Sequence, residues 1–552
     1  MFKPNNQMEF DSCHDISDKR RLEKIRESWE YSFYHEIFNK IDESDFMVLY
    51  SDEASRPNSP INMMVGALIL LTAFEWTYEE LFDNLDFNLL TRYSLGMFDF
   101  QKTAFSVATL FNFQNKVMDY QISTGIDLFD KMFTKLTVGQ LEKFKVKANI
   151  QRSDSFLVSS NIRRYGRLQL LVEVLMRFHK KLDANEKEKF AKEFEIYLKH
   201  HTSARFVYNL NKDQMPHEME KIGAIYQALV NEYAVKHGEC VEYINMKRVF
   251  GEHFELRPDG VKAIEPKRLK SGNLQSPDDS TATYRKKNDK QYYGRVINLI
   301  ETCDPRNDVN LITNVKTAAN NKDDGEILNG QITAAKEITP KLKELYTDAA
   351  YGNEKNDLLM DKLDISHVQT AIKGQERDRT LEIERGAGRN TFYVSCPHQC
   401  VKTYSDKGKL EASLDPEKCM NCTNSKCAMA VGKSKNCVYV FDKADYLRQK
   451  RIKSIEKIPD ERKHLRNNVE ATCHEYRTME TDKKLKVRGD FKTAIFAILG
   501  AVAINFGRIY RKMIKTGGKF PNYIKVYFNF VQNLAEFIFN KLFQSASVKI
   551  CA

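Results

Sequence analysis

Three short segments, far apart in the chain, each carry one acid in a setting suited to metal chemistry. Arg152-Ser153-Asp154-Ser155 and Tyr346-Thr347-Asp348-Ala349 put an aspartate in or at the end of an extended stretch, and Asn467-Asn468-Val469-Glu470 puts a glutamate on a helix. Two aspartates and a glutamate meeting in space form a hard oxygen-ligand site, which suits Mg²⁺ rather than zinc. In a two-ion site of that kind one carboxylate bridges both ions and each of the others holds one. The ions then activate an attacking water or hydroxyl and stabilise the leaving oxygen. Taken singly, any of these acids reads as an ordinary surface residue, so the elements that position them decide the matter.

Charge points to the partner. Lys and Arg number 86 against 75 Asp and Glu, a net of +11. That excess is moderate, but it is concentrated at 446–466 and 483–492, on either side of Glu470. A polyanion drawn there would meet the acids, and nucleic acid is the expected one. With 42% hydrophobic and 29% charged residues the chain is globular, and 552 residues exceed one ordinary core. The N-terminal stretch MFKPNNQMEF has no apolar core of an export signal. The longest apolar stretches, 63–74 and 494–504, fall short of the roughly 18 residues of a spanning helix, so a cytoplasmic location without membrane partners is expected.

The first 145 residues read as short helices. Ser59-Pro60 looks like an N-cap followed by proline at the first helical position, and Thr77-Tyr78-Glu79-Glu80 is a capping box. A further helical rhythm covers 105–117. Such a unit suits either helix-turn-helix-like DNA binding or plain helical packing. Residues 148–158 can be extended and carry Asp154, and a helical block follows over 162–248. Residues 281–300 alternate like strands about an Asn288-Asp289 hairpin turn. Strands at 309–315, 344–348 and 365–372, with a helix at 326–342, predict an α/β fold with a mixed sheet. Polar residues 375–440 interrupt that sheet as an insertion. A last apolar helix at 491–506 leads into a basic hinge (RIYRKMIKTGGK). The tail at 523–543 reads as an amphipathic helix that docks back onto the body or a second subunit.

Within that insertion the order is Cys396-x3-Cys400-x18-Cys419-x2-Cys422-x4-Cys427-x9-Cys437. A CxxC pair with further cysteines nearby points to a structural Zn²⁺ held by four thiolates. Cys419, Cys422 and Cys427 form its core and Cys400 is taken as the fourth ligand, with Cys396 and Cys437 left open. The segment is too poor in apolar residues to fold alone, and zinc would supply the missing stability.

Collinear with these features, the chain resembles the DDE transposases of bacterial insertion sequences. The resemblance runs through RPNSPINMMVGALILL and TYEEL, Arg92-Tyr93-Ser94-Leu95-Gly96, residues 152–161, DSTATYRKKNDKQYYGRVINLIE, YTDAAYG, residues 466–470 and KLKVRGDFKTAIFAILGAVAINFGRIYR. It implies an RNase H-like catalytic domain over 146–374, with a helical insertion at 162–250, behind a helical DNA-binding domain at 1–145. A Cys-rich insertion at 375–445 follows, then the last catalytic part at 446–510 and a hinge and tail at 511–552. It also implies that Asp154, Asp348 and Glu470 are the catalytic acids, holding Mg²⁺. The reaction implied is hydrolysis at the element's ends, then strand transfer into target DNA. The partner is double-stranded DNA, at element ends and target, and the protein is at least a homodimer because two ends must be held together. A bacterial, nucleoid-associated location goes with it.

Glu475 and Glu480 compete for the role of third acid. Glu475 would be rotated by about 140° from Glu470, so both cannot face the ions. Arg285, Lys286 and Lys287, beside Tyr284, form a basic strand edge that could track a DNA backbone. Arg466 could hold a phosphate near the metals, and His367 reads as a strand residue. A DNA-binding descendant without activity, or a metal-dependent nuclease without strand transfer, would share these residues.

Overall fold

A computed structural model describes residues 2–5 and 19–517, apart from 52–56, 100–101, 259, 370–380, 389–390, 405–407, 425–426, 428, 430–436, 457, 463 and 481–482. The amphipathic tail expected at 523–543 lies outside the described residues. The fold is built around β1 (Ile150–Ser159), a strand buried along its length except at Asp154 and Ser155. An interior strand with two half-open polar positions in its middle is unusual. It marks the place where a neighbouring strand stops.

After β1 the chain leaves the sheet for a helical block, from the Arg167–His179 helix to the Val241–His253 helix. The block closes with a hairpin of β2 (Phe254–Arg257) and β3 (Gly260–Ala263). It has its own core, including Leu171, Phe178, Tyr226 and Met246. The chain then returns as β4 (Thr283–Lys287) and β5 (Lys290–Thr302), joined through Asn288 and Asp289. Both turn residues adopt positive φ, as the expected tight hairpin requires.

β6 (Ile312–Ala319) follows, then β7 (Glu344–Thr347) and β8 (Ser366–Gln369). The sheet order is β4-β5-β1-β7-β8, with β6 also on β5. β5 runs antiparallel to β1, β4 and β6, whereas β7 is parallel to β1 and β8 is parallel to β7. The mixed sheet expected from the sequence is therefore present.

Helices cover both faces. Ile300 packs with Leu328 and Ile332 of the Asp324–Ile338 helix on one side. On the other, Phe156, Val158, Ile297 and Leu299 share a core with the N-terminal helices and the Asp490–Gly517 helix. The helical N-terminal part and the sheet thus form one continuous core. The Ile61–Ala73 helix is buried nearly all round and lies against Asp490–Gly517. Its start differs from the sequence reading: Pro60 is the N-cap, and Glu43 accepts from the amides of Ile61 and Asn62 at 2.8 and 3.1 Å. The capping box at Thr77 and Glu80 forms as expected.

Two further differences concern the C-terminal half. Among the described residues, the cysteine-bearing unit follows the last strand of the main sheet rather than splitting it. It consists of β9 (Glu382–Arg385), β10 (Thr391–Cys396), β11 (Gln399–Tyr404), β12 (Lys409–Ser413) and β13 (Val438–Asp442) around a small core. The basic hinge expected after residue 506 is instead helical through Gly517. That helix is long and apolar enough to cross a bilayer by length and composition, but 72% of its most apolar window is buried inside the protein.

Gly294 lies where β4 and β1 flank β5. A Cβ there would meet Val158 O at 2.4 Å and Ser160 N at 2.7 Å, both backbone atoms that cannot move aside. Gly294→Ala should lower stability by about 1–3 kcal/mol, read from the urea midpoint. An unchanged midpoint would show that the strands can separate there freely.

Candidate active site

The parallel register of β1 and β7 brings the two aspartates together. Ile150, Gln151 and Arg152 pair with Glu344, Leu345 and Tyr346, so two residues further on Asp154 and Asp348 lie side by side. β7 ends at Thr347 while β1 continues to Ser159. That step opens the sheet at Asp154. Asp348 caps the short turn Ala349–Tyr351 by accepting from the Ala350 amide. Its own carbonyl accepts from Gln369 Nε2 of β8 at 2.7 Å.

One guanidinium nitrogen of Arg466 stands 3.6 Å from Asp154 Oδ2 and 3.5 Å from Asp348 Oδ2, so these two oxygens are at most about 7 Å apart. The contacts are long, and Arg466 Nε is buried without a hydrogen-bond partner. Burial pushes Asp154 up to about 6; the Asp348 charge adds to this, while the Ser155 amide, Arg466 and Lys287 oppose it. Asp154 therefore has an unmet demand for positive charge.

Arg466 belongs to the turn before the Val469–Arg477 helix, not to the helix itself, and accepts through its carbonyl from the Val469 amide. The helix packs on β1, with the Tyr476 ring 5.2 Å from that of Phe156. Glu470 is exposed in its first turn. Its charge, with those of Asp154 and Glu301, adds to the burial that raises the Cys473 thiol. Glu475 faces elsewhere: Arg508 holds it at 2.7 Å and Arg511 at 3.1 Å. Glu480, pushed up to about 7 by burial, lies in the field of Arg477 and Glu75. Of the three candidate glutamates, Glu475 is tied to the C-terminal helix.

The residues expected to touch DNA divide. Lys287 is exposed and its charge reaches Asp154. Arg285 bonds the Asn320 carbonyl at 3.2 Å and stands 3.8 Å from Asp324, while Lys286 pairs with Asp289 at 2.9 Å. Arg466 lies between the two aspartates.

Two supporting networks were missed from sequence. Buried Arg152 makes a tight ion pair with fully buried Glu301 at 2.6 Å and bonds the Leu465 carbonyl at 2.6 Å. Glu301 also accepts from Thr472 at 2.8 Å and pairs with Arg508 at 2.7 Å. The available signal was Glu301 itself, an acid closing the apolar run VINLI. Behind Asp348, buried His367 is kept neutral chiefly by burial. Its Nδ1–H donates to Asp357 at 3.1 Å, leaving Nε2 to accept from Thr347 at 2.8 Å, and Arg451 holds Asp357 at 2.5 Å. His367 is thus a strand residue, as expected.

Among the described residues, no three His, Cys, Asp or Glu side chains are placed to hold one ion. Cys400 is exposed, whereas Cys396, Cys419, Cys422 and Cys427 line a common cavity of about 50 Å³. Cys419 is buried and pushed up to about 11, first by burial and then by the neighbouring Cys437.

Residues 16–116 match a protein family described as a transposase domain (DUF772). Comparison with curated proteins and with solved structures finds no match. The family match supports a transposase, hence a DNA-processing enzyme, and it falls on the helices that share their core with the sheet.

Because Asp154 is held above its ordinary value near 3.8, its ionised form weakens the metal-free fold. That cost is absent at low pH and develops as pH rises from about 4 through about 6. Asp154→Asn should therefore stabilise the metal-free protein at pH 7.5 by on the order of 1–3 kcal/mol, and by much less at pH 4.5. Urea denaturation in chelator at the two pH values measures this. Destabilisation at pH 7.5 would mean that Arg466 already satisfies the carboxylate.

Proposed function

We propose that this protein is a DDE-type DNA transposase in which Asp154, Asp348 and Glu470 hold Mg²⁺. The observation that carries the reading is the convergence of Asp154 and Asp348 on one loosely held cation at the step between two parallel strands. The RNase H-like reading is supported by the same sheet, with the first acid on a central strand and the second at the end of its parallel neighbour.

The residues present fit magnesium. Two oxygen donors, one of them desolvated and short of positive charge, face the same point, and Glu470 stands at the start of the helix that packs on β1. When bound, the ions would activate the attacking water or 3′-hydroxyl and stabilise the leaving oxygen. The protein's own contribution is placement. β1 and β7 fix the aspartates, the Thr347–His367–Asp357–Arg451 relay stiffens the turn that carries Asp348, and the Arg152–Glu301 pair seats the helix of Glu470. With metal held by the two carboxylates, Arg466 would be free to hold a phosphate oxygen. Lys287, exposed at the end of β4, draws the DNA backbone toward the same point. Two DNA ends must meet for joining, so the working form is a dimer or larger.

The test is incubation with the element's end DNA and Mg²⁺, scoring cleavage and joining separately. Asp154→Asn, Asp348→Asn and Glu470→Gln should each lose cleavage by on the order of 10³-fold or more, without additive losses in double variants. All three should still bind DNA. Glu475→Gln should stay active and lose only about 0.2–1 kcal/mol of stability from its half-exposed ion pairs. An active Glu470→Gln beside a dead Glu475→Gln would move the third acid along the helix. Cleavage without joining would make the protein a nuclease.

A further inference from the structure

The cysteine-bearing unit is small. Its core consists of a few apolar residues such as Ile383, Phe392, Val394, Leu410 and Phe441, spread over a three-stranded and a two-stranded sheet. So little burial gives a marginal fold, and such units are commonly stapled by a metal or disulfides. Four cysteines lie at one end of it, although no three of them stand close enough to hold one ion as placed. Cys396 closes β10, Cys419 lies in the Pro416–Met420 helix, and Cys422 and Cys427 follow it. All four line the same cavity of about 50 Å³.

Amide donors approach two of the sulfurs. Gln399 Nε2 donates to Cys419 Sγ at 3.3 Å, and the Met429 amide points at Cys427 Sγ at 3.5 Å. The Cys422 amide bonds back to the Cys419 carbonyl at 3.3 Å, closing the tight turn that lets the two cysteines of a CxxC pair face one ion. At Cys419 the amide donor offsets only part of the burial that favours the thiol, so a bound cation would supply the charge that a thiolate needs there. Cys400 lies outside this arrangement: it is paired with Ser395 across the β10–β11 hairpin and is exposed.

We propose that Cys396, Cys419, Cys422 and Cys427 form a structural Zn²⁺ site, with Cys396 rather than Cys400 as the fourth ligand. Rotation of these side chains into the shared cavity closes the tetrahedron, releasing the thiol protons to solvent. Cys437, which is hydrogen-bonded to Cys419, remains a buried neighbour outside the ligand set. The staple bears on the rest of the protein through the Lys443–Glu456 helix that follows β13. Gln449 of that helix bonds the Leu381 carbonyl and the Ile383 amide, and Arg451 reaches Asp357 behind Asp348. The proposal stands apart from the transposase reading, because its readout is metal content rather than DNA cleavage.

The experiment is elemental analysis of the full chain purified under reducing conditions, for wild type, Cys396→Ser, Cys400→Ser and Cys437→Ser. About one zinc per chain is expected in wild type, Cys400→Ser and Cys437→Ser, with most of it lost in Cys396→Ser. Wild type without zinc, zinc retained in Cys396→Ser, or zinc lost in Cys400→Ser or Cys437→Ser would overturn the assignment. Should Cys396→Ser fail to fold, Cys400→Ser and Cys437→Ser loaded with Co²⁺ decide. The intense visible bands of a four-sulfur tetrahedral site are expected, and the weak spectrum of an oxygen-bound octahedral ion would overturn the proposal.

Discussion

The buried carboxylate of Glu301 is the constraint on which the rest of this site depends. It has no exposure to solvent, and Arg152, Arg508 and Thr472 meet it from three different elements. A buried charge costs several kcal/mol in lost hydration, and only close partners on every side repay it. Here those partners are β1, the Val469–Arg477 helix and the long C-terminal helix. Arg152 also holds the Leu465 carbonyl, one residue before Arg466. The ion pair therefore ties the strand of Asp154 to the turn of Arg466 and the helix of Glu470. None of these can shift alone without leaving a buried charge unmatched.

Arg152 and Arg466 make two kinds of contact with acids. Arg152 approaches Glu301 at 2.6 Å with its nitrogens paired, the geometry of a permanent structural bond. Arg466 touches both aspartates at about 3.5 Å, with its Nε unpartnered. The first contact fixes the frame and the second is a loosely held cation. The raised Asp154 carboxyl is consistent with this difference, since a well-matched guanidinium would have lowered it. A rigid frame around a replaceable charge is what a metal-dependent site needs.

Much of this was legible in the sequence where local chemistry decides. The Asn288-Asp289 hairpin, the Thr77–Glu80 capping box and the strands of Asp154 and Asp348 follow from turn residues, caps and alternation. What was not legible depends on distant partners. The cap of the Ile61–Ala73 helix comes from Glu43, far outside any local pattern. The stretch read as a basic hinge stays helical because Arg508 points inward to Glu301 and Glu475, so its charge is consumed rather than solvated. Spacing alone could not choose between Cys396 and Cys400, because the β10–β11 hairpin decides which of them faces the unit's interior. The closeness of the two aspartates followed from type and context, whereas the ion pair that seats the helix of Glu470 did not.

We propose that Asp154 and Asp348 form a cation site in which metal would take the place that Arg466 holds. Anomalous diffraction from crystals of the protein with its end DNA, soaked in Mn²⁺ as a stand-in for Mg²⁺, tests it most directly. The account predicts metal density between the two aspartates, with Glu470 facing it and Arg466 turned away. Metal bound elsewhere, or Arg466 still seated between both carboxylates at saturating Mn²⁺, would contradict it.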